Sequence, residues 1–205
     1  ISVDVYAAEP GPMGVAGPAL SAAVKQMLET KGIPYHPEHQ VKSVDPAARR
    51  LDFANGASAP FDLLAYVPPH RAPRVVRDSG LVGESGWVSV DRHTLETRVP
   101  GVYAIGDVVS IPLQLGKPLP KAGVFAHLEA EIVASNIAAA ILGQSGGKRF
   151  EGHGECFVEI GGGQAAFGTG NFYAEPVPAV TLRSPSRWLH LGKVLFEAVW
   201  LHVKL

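Results

Sequence analysis

The chain has one cysteine, no surplus of charge and no long uninterrupted apolar run, and each lack removes a class of protein. A single thiol, Cys156, cannot close an internal disulfide. With 18 Lys and Arg against 19 Asp and Glu, and no basic block, the charge pattern does not suit nucleic acid. No secretory leader is recognisable, and no run of about 18 apolar residues marks a membrane span. The eight histidines show no ligand spacing around the lone thiol, so no metal site is expected. Also missing is a strand-Gly-x-Gly-x-x-Gly-helix unit. The nearest candidate, Gly11-Pro-Met-Gly-Val-Ala-Gly17, has the wrong spacing, and prolines flank it where a phosphate loop needs free N–H groups. Ile1 falls beside what reads as a strand, and no methionine precedes Met13. The expectation is a carboxy-terminal part of a longer protein.

What is there is a compact α/β pattern. Of 205 residues, 46% are hydrophobic, enough for one large domain or two small ones. The 23 glycines and 17 prolines gather at the joins between periodic segments, as short α/β connections require. Val3–Ala7 reads as a strand, Pro18–Lys31 as a helix with Gly32 as its stop, and Ile33–His36 and Val41–Val44 as short strands. Leu51–Phe53 pairs across the Asn55-Gly56 turn, and Phe61–Val67 reads as a further buried strand. Glu9, at a strand end, stands where dinucleotide folds place the acid that bonds a ribose hydroxyl; a solvated strand-end Glu is the plainer alternative.

The densest signal lies further on. Val102-Tyr-Ala-Ile105 is a short apolar run that predicts a buried strand, delivering Gly106 and Asp107 to its carboxyl end, where open α/β sheets hold ligands. A glycine lets a ligand approach the backbone, and the Asp107 carboxylate accepts hydrogen bonds from hydroxyls. A plain Gly-Asp surface turn would look the same. Then Ala122–Leu142 carries Val124, Phe125, Leu128, Ile132, Val133, Ile137 and Ile141 at helical spacing. Its first turn, Lys121-Ala122-Gly123, offers backbone N–H groups, the positive end of the helix dipole and an ammonium, which together favour developing negative charge of the kind a reduced flavin carries.

The run Thr97-Arg-Val-Pro-Gly-Val-Tyr-Ala-Ile-Gly-Asp107, followed by Leu119-Pro-Lys-Ala-Gly-Val-Phe-Ala126, resembles the sulfide:quinone oxidoreductase and flavocytochrome c sulfide dehydrogenase group of the pyridine nucleotide-disulfide oxidoreductases. The resemblance extends through Phe61–Leu64, Pro68-Pro69-His70, Gly86–Asp91 and Gly152–Phe157. It implies FAD as cofactor, Asp107 on its ribityl chain, and Lys121, Ala122 and Gly123 near its ring. The implied fold is α/β, part of a flavoprotein with two Rossmann-like dinucleotide-binding domains. Residues 1–95 would be the later part of the second, NAD-type domain, 96–145 the returning part of the FAD domain, and 146–205 a small β-hairpin plus amphipathic helix. Bound NAD(P), through Glu9, is a weaker expectation without a glycine loop before it.

The same resemblance bears on two chemical residues. His70, in the rigid Pro68-Pro69-His70-Arg71-Ala72-Pro73 connection, would exchange protons with a substrate or quinone, or else is a surface histidine. Cys156 would be the carboxy-terminal half of a redox-active sulfur bridge; a buried inert thiol is the alternative. Phe157–Ile160 and Gln164–Phe167 around Gly161-Gly162-Gly163 predict a hairpin, with a second bend over Gly168–Tyr173. Arg187–Leu205 reads as a helix with Trp188, Leu191, Leu195, Val199 and Val203 on one row, suited to a membrane interface or to docking on the domain or on another subunit.

The function expected is therefore sulfur-compound oxidation with electrons passed to quinone or cytochrome c. A type II NADH:quinone dehydrogenase and a non-catalytic interaction module are the alternatives. The partners implied are an amino-terminal part of the same protein, the acceptor, a membrane surface through 187–205, and other copies of the chain along open sheet edges. Location reads as cytoplasmic or peripheral membrane.

Overall fold

The computed structural model describes residues 1–204, which fall into two compact units, Ile1–Pro69 and His70–Leu205. In the first, β1 (Val5–Tyr6) leads through a short 3₁₀ turn at Gly14–Ala16 to α1 (Pro18–Glu29) and back to β2 (Tyr35–His36). β1 and β2 pair in parallel, Val5 beside Tyr35 and Tyr6 beside His36. Pro18 occupies the first turn of α1, where its missing N–H costs nothing. β3 (Val41–Asp45), β4 (Arg50–Phe53) and β5 (Ser58–Pro60) then form an antiparallel meander with β4 central.

β4 shows why this unit folds. Its side chains alternate, Leu51 and Phe53 buried between the less buried Arg50 and Asp52, as a half-buried strand requires. Leu51, Phe53 and Ala59 form a core covered by Tyr6, Val41, Val44, Phe61 and Leu64. The Tyr6 ring stacks on Phe53 at 4.9 Å and on His36 at 4.3 Å, tying the parallel pair to the meander. The turn after β4 is closed by Asn55, whose side-chain oxygen accepts from Ala57 N at 3.0 Å. The expected strand Phe61–Val67 is absent: β5 is the sheet edge, only Phe61 N still bonds back, to Arg49 O, and Leu63 lies 90% exposed. An apolar run becomes a buried strand only with a neighbour on that edge, and none is placed there among the described residues.

The second unit begins with α2 (Arg74–Asp78) and a parallel pair, β6 (Val88–Ser89) with β7 (Val109–Ser110). Between them, Val102–Ile105 is not the expected strand. It is extended chain held by single bridges and by Ala104 N donating to Leu95 O, and it runs into a 3₁₀ turn at Gly106–Val108. The pairing strand follows the turn instead of preceding it. Val88, Leu95 and Ile111 are almost wholly buried here. α3 (Gly123–Ile141) follows, close to its expected span. Of its expected apolar face, Phe125 and Val133 are buried while Ile137 and Ile141 are exposed; Glu129 completes the buried row.

The chain ends in a three-stranded antiparallel sheet with β9 central: β8 (His153–Gly161), β9 (Gln164–Asn171) and β10 (Ala179–Ser186). The hairpin expected around the three glycines is present and longer than its sequence pattern, with Phe157 opposite Phe167. The expected bend falls at the end of its range: β9 runs through Asn171 before the turn at Phe172–Tyr173, and an unexpected strand, β10, pairs with its far side. Ser186 caps α4 (Arg187–Val199), accepting from Leu189 N at 3.2 Å. A π-helical turn over Trp200–Lys204 prolongs the helix. The last residue of the expected 187–205 helix, Leu205, lies outside the described residues.

Candidate functional site

The Gly106–Asp107 turn is built from both sides by α3. Ile105 is extended, and Gly106 then takes φ +69°, a left-handed conformation that glycine adopts without steric cost. A Cβ at Gly106 would also press on the Ala126 methyl, at 3.1 Å, so the turn lies directly against the helix. Gly106 N donates to Glu129 Oε2 at 2.6 Å, and Glu129 is only 1% exposed. Burial pushes the Glu129 carboxyl above the usual range, against the opposing pull of the Gly106 hydrogen bond and the Lys121 charge. Asp107 itself is exposed.

Lys121 closes the other side. Its Nζ donates to Asp107 O at 2.5 Å and Val109 O at 2.8 Å, and sits 3.6 Å from the centre of the Trp87 ring. Burial lowers its pKa, while the Asp107 and Glu129 charges oppose the shift. The ammonium therefore braces the turn through its carbonyls. Behind it, a cavity of about 10 Å³ lined by Gly106, Lys121, Phe125 and Glu129 has room for roughly one water.

In front of the α3 N-terminus the space is open. Ala122 is extended and supplies no capping side chain, and a Cβ on exposed Gly123 would meet nothing within 4 Å. The first-turn N–H groups thus lack the capping oxygen that most helices provide. This end of α3 opens on a cavity of about 1030 Å³, walled by β8 and by α4 with its π-helical turn, whose lining includes Ala122, Gly123, His127, Cys156, Phe196 and Trp200. β8 approaches α3 so closely that a Cβ on Gly154 would overlap the Phe125 ring. That contact sets Cys156, two residues on, in the wall of the same cavity.

Cys156 is exposed and free, its thiol donating to Phe157 O at 3.2 Å. The thiol is therefore not buried among the described residues. Ala122, Gly123 and Cys156 are brought together around one space, while Gly106, Asp107 and Lys121 form the brace beside it. His70 is exposed in coil and lines neither cavity. No group of three or more candidate metal ligands occurs among the described residues. Glu129 was not singled out from the sequence, and Trp87 entered only within the run Gly86–Asp91. The signal for Glu129 was there: Phe125, Glu129 and Val133 repeat every four residues, so an acid occupies the buried row.

An α/β chain with a glycine-acid turn packed near an uncapped helix start has elements that suit the dinucleotide-binding flavoprotein class. Residues 1–130 match the model of the pyridine nucleotide-disulphide oxidoreductase family, and the chain belongs to that family. It is 22% identical over 162 residues to mitochondrial sulfide:quinone oxidoreductase of Mus musculus, covering 76% of this chain and 35% of the relative. The enzyme of the same name from Schizosaccharomyces pombe is 30% identical over 118 residues, 57% of this chain and 24% of the relative. Among solved structures, the sulfide:quinone oxidoreductase of Aquifex aeolicus superposes with a TM-score of 0.82 at 22% identity, over 97% of this chain and 49% of that one. The chain thus spans about half of that structure and about a third or less of the two curated relatives.

Proposed function

We propose that these 205 residues are part of a FAD-dependent oxidoreductase that oxidises a sulfur compound and passes the electrons to a quinone. The observation that carries the reading is the exposed Cys156 thiol in the wall of the cavity onto which the uncapped start of α3 opens. The residues present suit the ring and ribityl end of the cofactor. Asp107 offers an exposed carboxylate for ribityl hydroxyls, and Gly123 leaves room at its Cβ for a flat ring against the helix N-terminus. The pyrophosphate end would be held by a glycine loop outside these residues. When bound, FAD supplies a two-electron acceptor and donor.

The chain's own groups then have distinct parts. Cys156 would hold the sulfur atom while its electrons leave, and the apolar wall of Phe157, Phe167, Phe196 and Trp200 would take a lipid-soluble acceptor. α4 supports the choice of quinone. Trp188 is 81% exposed, and Leu191, Leu195 and Leu201 are exposed beside it, a face suited to a membrane interface where such a quinone is met. The test is sulfide-dependent quinone reduction by the whole flavoprotein with Cys156→Ser. Loss of turnover with flavin retained supports the reading; unchanged turnover, or turnover with NADH but not sulfide, overturns it.

A further inference from the structure

Glu129 belongs to no motif and touches no open cavity, yet it is the most buried acid described in the chain. It sits one turn beyond Ala126, the residue on which Gly106 rests, so α3 grips the turn at two successive points. Its Oε2 takes the Gly106 N–H at 2.6 Å, and Lys121 takes the carbonyls of Asp107 and Val109 from the opposite side. The carboxyl group fills the wall of a void large enough for roughly one water.

We infer that Glu129 is a positioning residue that, through the Gly106 N–H, holds the Gly106–Asp107 turn in the shape the cofactor site needs. The ligand side of this inference rests on the flavin reading above; the protonation side rests on the site alone. The groups facing the carboxyl are Asp107, whose charge disfavours ionisation, and Lys121, whose charge favours it. Across the site Tyr173 feels the Glu129 charge. On α3 itself His127 is paired with Glu131 at 3.3 Å. Burial outweighs these, and a carboxyl raised in the folded state loses stability as pH climbs. Its contribution is whole below the unfolded value of about 4.3 and is lost as pH rises through the folded value.

The experiment compares wild type, Glu129→Gln and Glu129→Leu in the complete flavoprotein, by flavin retention, visible circular dichroism of bound flavin, and stability from about pH 5 to 8. Glu129→Gln keeps an oxygen to accept from the Gly106 N–H and cannot ionise. It is expected to keep flavin affinity and dichroism and to flatten the pH dependence. Glu129→Leu strands the Gly106 N–H and is expected to weaken flavin binding on the order of tenfold, with altered dichroism. A Glu129→Gln profile parallel to wild type, or a tenfold loss of flavin in that variant, overturns the inference. So does wild-type flavin binding by Glu129→Leu. If Glu129→Leu does not fold, the Gln variant alone decides. Wild type that binds no flavin would overturn the cofactor reading instead, and the pH comparison would still judge Glu129.

Discussion

The Lys121 ammonium lies 3.6 Å from the centre of the Trp87 ring and is bonded to two carbonyls of the segment that carries Asp107. Two motifs 34 positions apart in the chain thereby meet at one cation. Lys121→Met is expected to destabilise the second unit by about 2 kcal/mol, from hydrogen bonds to a charged donor and a cation–π contact. Urea unfolding measures it. A change under ~0.5 kcal/mol would show that the brace is replaceable by solvent.

Gly154 is the point where β8 meets α3, and a side chain there would overlap Phe125. Gly154→Val is expected to cost about 1–3 kcal/mol by overpacking. Trimming the ring with Phe125→Leu should recover part of that loss, because residues in contact do not add. Thermal unfolding of the two single variants and the double variant gives the coupling, and simple additivity would refute the contact.

The first unit depends on Phe53, 2% exposed and packed on Tyr6 and His39. Phe53→Ala is expected to cost about 3–5 kcal/mol. Because the core named above lies wholly within residues 1–69, the loss should appear as hydrogen exchange in β3, β4 and β5 before it appears in β8 to β10.

Tyr173 donates its hydroxyl to Arg92 O at 2.7 Å, and the Arg92 guanidinium lies 3.8 Å above its ring. Burial pushes this phenol far above its ordinary range. A pKa raised by folding gives stability that is whole below the unfolded value of about 10 and is lost as pH rises beyond it. Absorbance titration should find one tyrosine ionising only with unfolding, and Tyr173→Phe should remove that late phase.

Cys156 is expected to react stoichiometrically with iodoacetamide in the folded protein, since it is exposed and free. A thiol labelled only after denaturation would contradict its placement in the cavity wall.

Much of this was legible beforehand because it depended on local chemistry. The span of α3 followed from its periodicity, and the β4–β5 turn from Asn55-Gly56. Phe61–Val67 and Val102–Ile105 misled because an apolar run states only that a segment suits burial. Whether a strand forms there depends on a neighbour along the edge, and in both places the chain pairs elsewhere or not at all. β10 was missed for a different reason: Val180-Thr181-Leu182-Arg183 does alternate, but the run is short and ends in Ser184-Pro185, and it is a strand because β9 offers an open side.

By itself the sequence determined the family, since the runs around Gly106, Asp107, Lys121, Gly123 and Cys156 are recognisable by type and order, and it marked those residues as candidates for the chemistry. Only the tertiary structure decided what each one faces. It turned the Lys121 ammonium onto backbone carbonyls, placed Glu129 in the buried row beneath Gly106, and opened Cys156 to the cavity at the start of α3. Residue type sets what a group can do, whereas burial and partners come from contacts between segments far apart in the chain, and these decide its charge and what it can reach.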